Sequence, residues 1–373
     1  MATIETTAAP AAAPFRSDAR ISWYRCRVDK QALNQLMQRS DSPGFRQVFL
    51  QLGLFALTGT LAYLAYTNIH AENWYWAVPL LLVALFIHGT GGPFMGLVAV
   101  HELVHKTPFK TPFWNELFLR VYSFISWSDY IWFRPSHAKH HRLTVHKDYD
   151  GEVVLPQKFS FKDWQFWLGL IAWNPVNTWR LWTRYFQYAT GRIDDPWHQF
   201  ILPETDRELR GRHRNWARFV LIGHALLAAT FILTGHWFLI VVFTIGTQYC
   251  GWLGFLCGSP QHFGLAPNVP DFRLCCRTYT CSWLPAFFYW NMQYHIEHHM
   301  FPAVPFHKLP QLRRLIAADL PPAPHGLWAT WKHLLEVHRK QMADPTYVYI
   351  PPLPPAPGDR ASDEILQREA MVA

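Results

Sequence analysis

The sequence predicts an all-α, multi-pass membrane protein. The expected plan is four transmembrane helices in two hairpins, with interfacial helices and a histidine-rich cap on the cytosolic side. Three observations carry it. Residues 47–105 and 219–272 contain no Lys or Arg, and each block is long enough for two crossings of about 20 apolar residues. Half of the 373 residues are apolar and 16% are charged, against roughly 25% charged in a soluble domain. The 19 Trp and 27 Phe suit aromatic belts at a membrane surface.

The elements follow in order. Residues 1–20, rich in Ala, Pro and Thr without an apolar core, predict a disordered tail and not a signal peptide. A membrane-bound domain is expected over 21–350. Its first charge-free block gives helices over about 47–68 and 74–100, joined by NIHAEN. The second gives about 217–234 and 237–258, joined by TGH. Two further segments read as helices lying in the interface. One is 113–133, interrupted by Glu116, Arg120 and Asp129; the other is 161–186, where five Trp alternate with Arg180 and Arg184. The Pro-rich end, 351–373, predicts a second disordered tail.

Neither hairpin turn carries Lys or Arg, whereas the N-terminal segment, 106–216 and the chain after Arg273 are rich in both. The positive-inside rule therefore places all the large polar segments in the cytosol. A net charge of +8 on so apolar a chain points to anionic lipid or an acidic redox protein as partner, not to nucleic acid. The six cysteines contain no C-x-x-C pair, so neither a zinc ribbon nor a thioredoxin-type site is indicated.

The chemistry lies in the 20 histidines. HELVH (His101, His105) ends the second predicted span, and HAKHH (His137, His140, His141) lies between the hairpins. QHFGL (His262) follows the fourth span, and HIEHH (His295, His298, His299) comes later. Positions i, i+3 and i+4 share a helix face, but adjacent histidines are turned about 100° apart. The spare His of each H-x-x-H-H motif can therefore serve a neighbouring metal. HELVH alone fits H-E-x-x-H, which makes a zinc intramembrane peptidase with Glu102 as base an alternative. A catalytic zinc takes three protein ligands; nine histidines suit two metals of higher coordination better. His70, His88, His198, His224 and His236 stand alone and read as structural.

HELVH, HAKHH and HIEHH, in that order around two membrane hairpins, resemble the three histidine boxes of the membrane fatty acid desaturase superfamily. That superfamily also holds hydroxylases, ketolases and alkane monooxygenases. The resemblance runs from about Gly91 to Leu315, and HHMFPAVPFHKLPQL is close to acyl desaturases. HELVHK and HFGL are closer to alkane hydroxylases. It implies two Fe(II) ions held by His101, His105, His137, His140, His141, His295, His298 and His299, with His262 as the additional histidine. At Gly258, four residues before His262, stearoyl desaturases place an asparagine that this chain lacks. The implied activity is O2-dependent desaturation of a fatty acyl or lipid chain, with a hydroxylase or monooxygenase on the same scaffold as the alternative. The chain shows no nucleotide-binding glycine motif, ferredoxin cysteine set or fused haem motif, so the two electrons are expected from a separate cytochrome b5-type or ferredoxin donor. The implied setting is the endoplasmic reticulum of a eukaryote or the inner membrane of a bacterium. Tyr149, Asp150 and Glu152 are candidate partners for ligand N–H groups, with plain surface exposure as the rival reading. Arg134 reads either as an anchor for an acidic headgroup or the electron donor or as half of an ion pair, and Asn291, one turn before His295, as a helix-packing amide ahead of a support for that ligand.

Overall fold

The computed structural model describes residues 15–355 apart from positions 18, 158 and 160, and within them the chain is helical with no strand. Helix α1 (Lys30–Met37) starts at Asp29, whose carboxylate accepts the Ala32 N–H, a standard way to satisfy a free helix-end donor. Helices α2 (Asp41–Thr67) and α3 (Trp74–Gly91) form the first hairpin. At 1.5 Å per residue, the 27 residues of α2 extend about 40 Å, more than the roughly 30 Å of a hydrocarbon core. Leu57, Leu61, Leu82 and Val83 on this hairpin are each more than half exposed; such an apolar surface is one that lipid covers. Asp41 fixes the polar end by accepting the Thr111 N–H and hydroxyl at 2.8 and 2.6 Å.

The second span runs on where the sequence suggested an exit. A π-helical turn (Met95–Ala99) and α4 (Val100–Val104) follow α3, so Trp74–Val104 is one apolar run of 31 residues that delivers HELVH. Gly92 is needed on the way, because a Cβ there would lie 2.4 Å from the Gly246 carbonyl oxygen. Helices α5 (Pro112–Ile125) and α6 (Tyr130–Leu143) then cross the cap. Next come α7 (Trp164–Ile171), α8 (Pro175–Thr190) and α9 (Pro196–Ile201), opened by Asp163, Asn174 and Asp195, each accepting a backbone N–H. Each predicted interfacial segment thus becomes two helices. Trp127, in the left-handed region, breaks the first, and the Asn174-Pro175 start breaks the second. Trp164, Trp167 and Trp179 are exposed.

Helix α10 (Arg207–Leu233) starts ten residues before the predicted third span because Asp206 caps it, accepting the Leu209 N–H. The predicted fourth span is not one helix. A π-helical turn (Ile240–Thr244) gives way to irregular chain at 245–251 and then α11 (Trp252–Gly258). Side chains and a neighbouring segment take up the backbone groups this break frees. The ring Nε2 of His88 bonds the Val242 carbonyl, and the Trp127 indole N–H donates to the Thr244 carbonyl, both at 2.8 Å. The Cys250 and Gly251 N–H groups donate to Ala172 and Gly169. Helix breaks at membrane depth persist only with such replacement partners. Three helices, not four, are therefore long and apolar enough to cross a membrane among the described residues.

The cap is completed by α12 (Phe272–Cys275), α13 (Trp283–Phe288), α14 (His295–Met300), α15 (Leu309–Ile316) and α16 (Gly326–Ala343). Phe94, Leu103, Leu119, Tyr122 and Trp290 fill the core between hairpin and cap, each completely buried. Gln51 accepts the Trp290 indole N–H at 2.9 Å, and Gln47 donates to the Phe287 carbonyl at 2.8 Å. These bonds tie α2 to the segment entering α14. Of the expected tails, 1–14 and 356–373 lie outside the described residues. Phe15 packs edge-on against Trp197 with ring centres 4.7 Å apart.

Candidate metal centre

HELVH occupies α4 and its C-cap, HAKHH lies in α6, and HIEHH forms most of α14. These helices meet so that the boxes interleave. Ring nitrogens of His101, His105, His137, His141 and His298 all lie within 4.8 Å of one another, and so do the donor atoms of His262, Cys276, His295 and His299. The i, i+4 pairs of each box point into one group, while the intervening histidine points elsewhere. His298, from the box that gives His295 and His299 to the second group, joins the first. His140, from the box that gives His137 and His141 to the first, has its ring 5.2 and 5.0 Å from those of His262 and His299 in the second. All nine histidines singled out in the sequence are thus brought together.

Partners of the outer ring nitrogens fix where the protons sit. The Nδ1 of His262 faces the Cys275 carbonyl oxygen at 2.8 Å, an acceptor only, so it carries the proton. The Nδ1 of His299 faces the Thr144 hydroxyl at 3.1 Å, and that hydroxyl donates to the His140 carbonyl at 2.7 Å, so His299 is the donor. Both rings therefore turn a bare Nε2 inward. These two atoms lie 2.9 and 3.0 Å from the single Nε2 of His295. One N–H cannot satisfy both lone pairs, whereas a cation between the three rings does. In the first group, His137 Nε2 likewise stands 3.1 and 3.0 Å from the Nε2 atoms of His105 and His141.

Carboxylates back four of the other rings. Glu152 holds His137 Nδ1 at 2.7 Å and also accepts the Ser136 hydroxyl. Asp150 holds His140 Nδ1 at 2.7 Å and accepts the Val145 N–H. Glu102 Oε1 stands 3.2 Å from His101 Nδ1 and 3.7 Å from His298 Nδ1. Such outer partners orient imidazoles and raise their basicity toward a metal. Burial holds His137, His141, His295, His298 and His299 well below the ordinary histidine range, and His105 and His262 at about 3. All are therefore neutral near pH 7, the state in which imidazole binds metal. His140 differs: burial opposes its charge, but Asp150 outweighs that and raises it.

Other candidates fall outside. Tyr149 lies under Arg16, 5.4 Å from the ring centre. Arg134 pairs with Glu116 at 2.6 Å. Asn291 precedes α14 in the left-handed region, not on its helical face. Of the solitary histidines, His88 and His224 bond backbone carbonyls, and His198 bonds Tyr188. Sequence reasoning missed Thr144, though it stands at helical spacing from His140. It also missed Cys276, whose thiol burial pushes up. A third omission is Glu297, which anchors α14 by accepting from Thr278 at 2.5 Å and Arg313 at 2.7 Å.

No curated protein sequence matches the chain. A family model described as fatty acid desaturase matches residues 76–331, which span α3 to α16 and every histidine of both groups. With well over half its length covered, the chain belongs to the fatty acid desaturase family.

Proposed function

We propose that the protein is a membrane di-iron oxidoreductase that uses O2 and two external electrons to desaturate a fatty acyl or other lipid chain. The observation that carries this reading is the interleaving of three boxes into two buried, convergent imidazole groups. In this reading His101, His105, His137, His141 and His298 hold one iron, and His140, His262, His295 and His299 the other. The pair of irons, when bound, supplies the activation of O2 and the cleavage of an unactivated C–H bond.

The chain's own residues supply position. Glu152, Asp150, Thr144 and the Cys275 carbonyl keep protons on the outer ring nitrogens, so the inner ones stay free. Phe133 stacks on His137 with ring centres 5.0 Å apart. With Val100, Trp127 and Leu181 it lines a cavity of about 240 Å³ whose wall also carries Asp129, Arg184 and His198, an amphipathic approach for a lipid chain beside the first group. Glu102 stands behind the rings of His101 and His298; a peptidase base would have to face the substrate water instead. That weighs against the zinc peptidase. The electron donor is a separate acidic cytochrome b5-type or ferredoxin protein meeting a basic cytosolic face.

Hydroxylation on the same scaffold is the second reading, favoured by the likeness of HELVHK and HFGL to alkane hydroxylases. Product mass spectrometry after expression in a host of known lipid composition separates them. Desaturation removes H2 from a host lipid, and hydroxylation adds one oxygen atom. Unchanged lipids in cells that contain iron-loaded protein and a reducing partner would count against both.

A further inference from the structure

Arg277 is a buried cation with no ion pair among the described residues. It is 5% exposed, and one terminal nitrogen donates to the carbonyls of Pro260 and Phe263 at 2.6 and 2.9 Å. The other terminal nitrogen is buried without a partner. Its neighbours in sequence and space show the contrast: Arg273 is paired with Asp271 and Asp319, and Arg313 with Glu297. Both carboxylate oxygens of Glu297 are engaged, one by Thr278 and one by Arg313. Burial draws the Arg277 pKa down to about 10, which still leaves it charged near neutrality. A buried charge without a counter-charge is costly.

This side chain lines a cavity of about 320 Å³. Thr278, His333 and Tyr349 give it a polar side, and Leu265, Ile296 and Pro351 an apolar one. That is the size and lining of a pocket for a small molecule with one fixed polar group. We propose that this cavity binds a small anion through a carboxylate or phosphate group, with Arg277 as the anchoring cation. Arg277 lies below the surface, so the anion that meets it is a small molecule and not the face of a folded partner. Cys276, which also belongs to the second histidine group, forms part of the wall. A bound anion therefore sits beside that group. The proposal does not depend on which reaction the irons perform.

The test is calorimetric titration of the purified, iron-loaded full chain with inorganic phosphate and, separately, with succinate, at constant ionic strength made up with chloride. One of the two anions is expected to bind saturably, at one per chain, and which one it is names the group. Arg277→Gln is expected to weaken that binding about 10- to 100-fold, the scale of a lost charge-assisted bond, with iron content unchanged. Should that variant fail to fold, Ala329→Glu serves. It places a carboxylate at an exposed helical position on the cavity wall and is expected to block the anion while leaving Arg277 in place. No binding above the chloride control, or equal binding by Arg277→Gln, overturns the proposal. So does binding that appears only after truncation at residue 355, because the acidic residues Asp359, Asp363 and Glu364 would then be the occupants.

Discussion

The two histidine groups are built from the same boxes but backed differently. In the first, Glu152 holds His137, and Glu102 stands behind His101 and His298. In the second, a backbone carbonyl holds His262 and a threonine hydroxyl holds His299; only His140 has a carboxylate, Asp150. A carboxylate partner makes imidazole more basic and adds negative charge near a metal, whereas a carbonyl or hydroxyl merely orients the ring. The first group thus has two carboxylates behind it and the second has one, but burial pushes Glu152 up to about 7, whereas at Asp150 burial is outweighed by His140 and its hydrogen bonds, so Asp150 is the firmer charge. Two metals of one element held this way would be inequivalent, and the cavity lined by Val100 and Phe133 meets the first group through the stacking of Phe133 on His137.

The largest effects test the groups themselves. His137→Ala and His295→Ala are each expected to abolish product and to halve the iron content, measured by elemental analysis. If either variant kept full iron, the division into two groups would be wrong. Metal removal comes next. In the stripped protein His105 and His262 titrate at about 3, while the unfolded chain protonates near 6.5. Between these values the unfolded state binds more protons, so the contribution of these histidines is flat above about pH 6.5 and falls below it, while Glu152, raised by burial to about 7, opposes part of the fall. The loss is about 1.4 kcal/mol per group for each pH unit. Thermal melts of chelated protein from pH 7.5 to 5 read this directly; a melting temperature independent of pH would contradict it.

Smaller effects sharpen the asymmetry. Glu152→Gln keeps the shape but loses the charge, and is expected to lower iron retention or activity about 10- to 100-fold. Thr144→Val removes one neutral hydrogen bond, worth about 1 kcal/mol, so less than a tenfold loss is expected. Equal losses in the two variants would mean that charge behind the rings does not matter.

Much of this site was legible in the sequence, because helical spacing alone decides which histidines share a face. The turn of His140 and His298 away from their box partners follows from 100° per residue. Which box meets which was not legible, since His298 and His101, with ring centres 4.8 Å apart, are brought together only by the tertiary fold. Nor was the break in the fourth predicted span. Its residues are apolar enough for a helix, and what stabilises the break is remote: His88, Trp127 and the α7 end supply the partners. Asp150 and Glu152 were visible as acids close to a box. Cys276 and Arg277 carried no pattern, because their significance is burial.

Elemental analysis of the purified full chain, paired with iron-specific spectroscopy, tests the central claim most directly. Two irons per chain in spectroscopically distinct environments is the expected result. A single zinc, or two indistinguishable irons, would contradict the account.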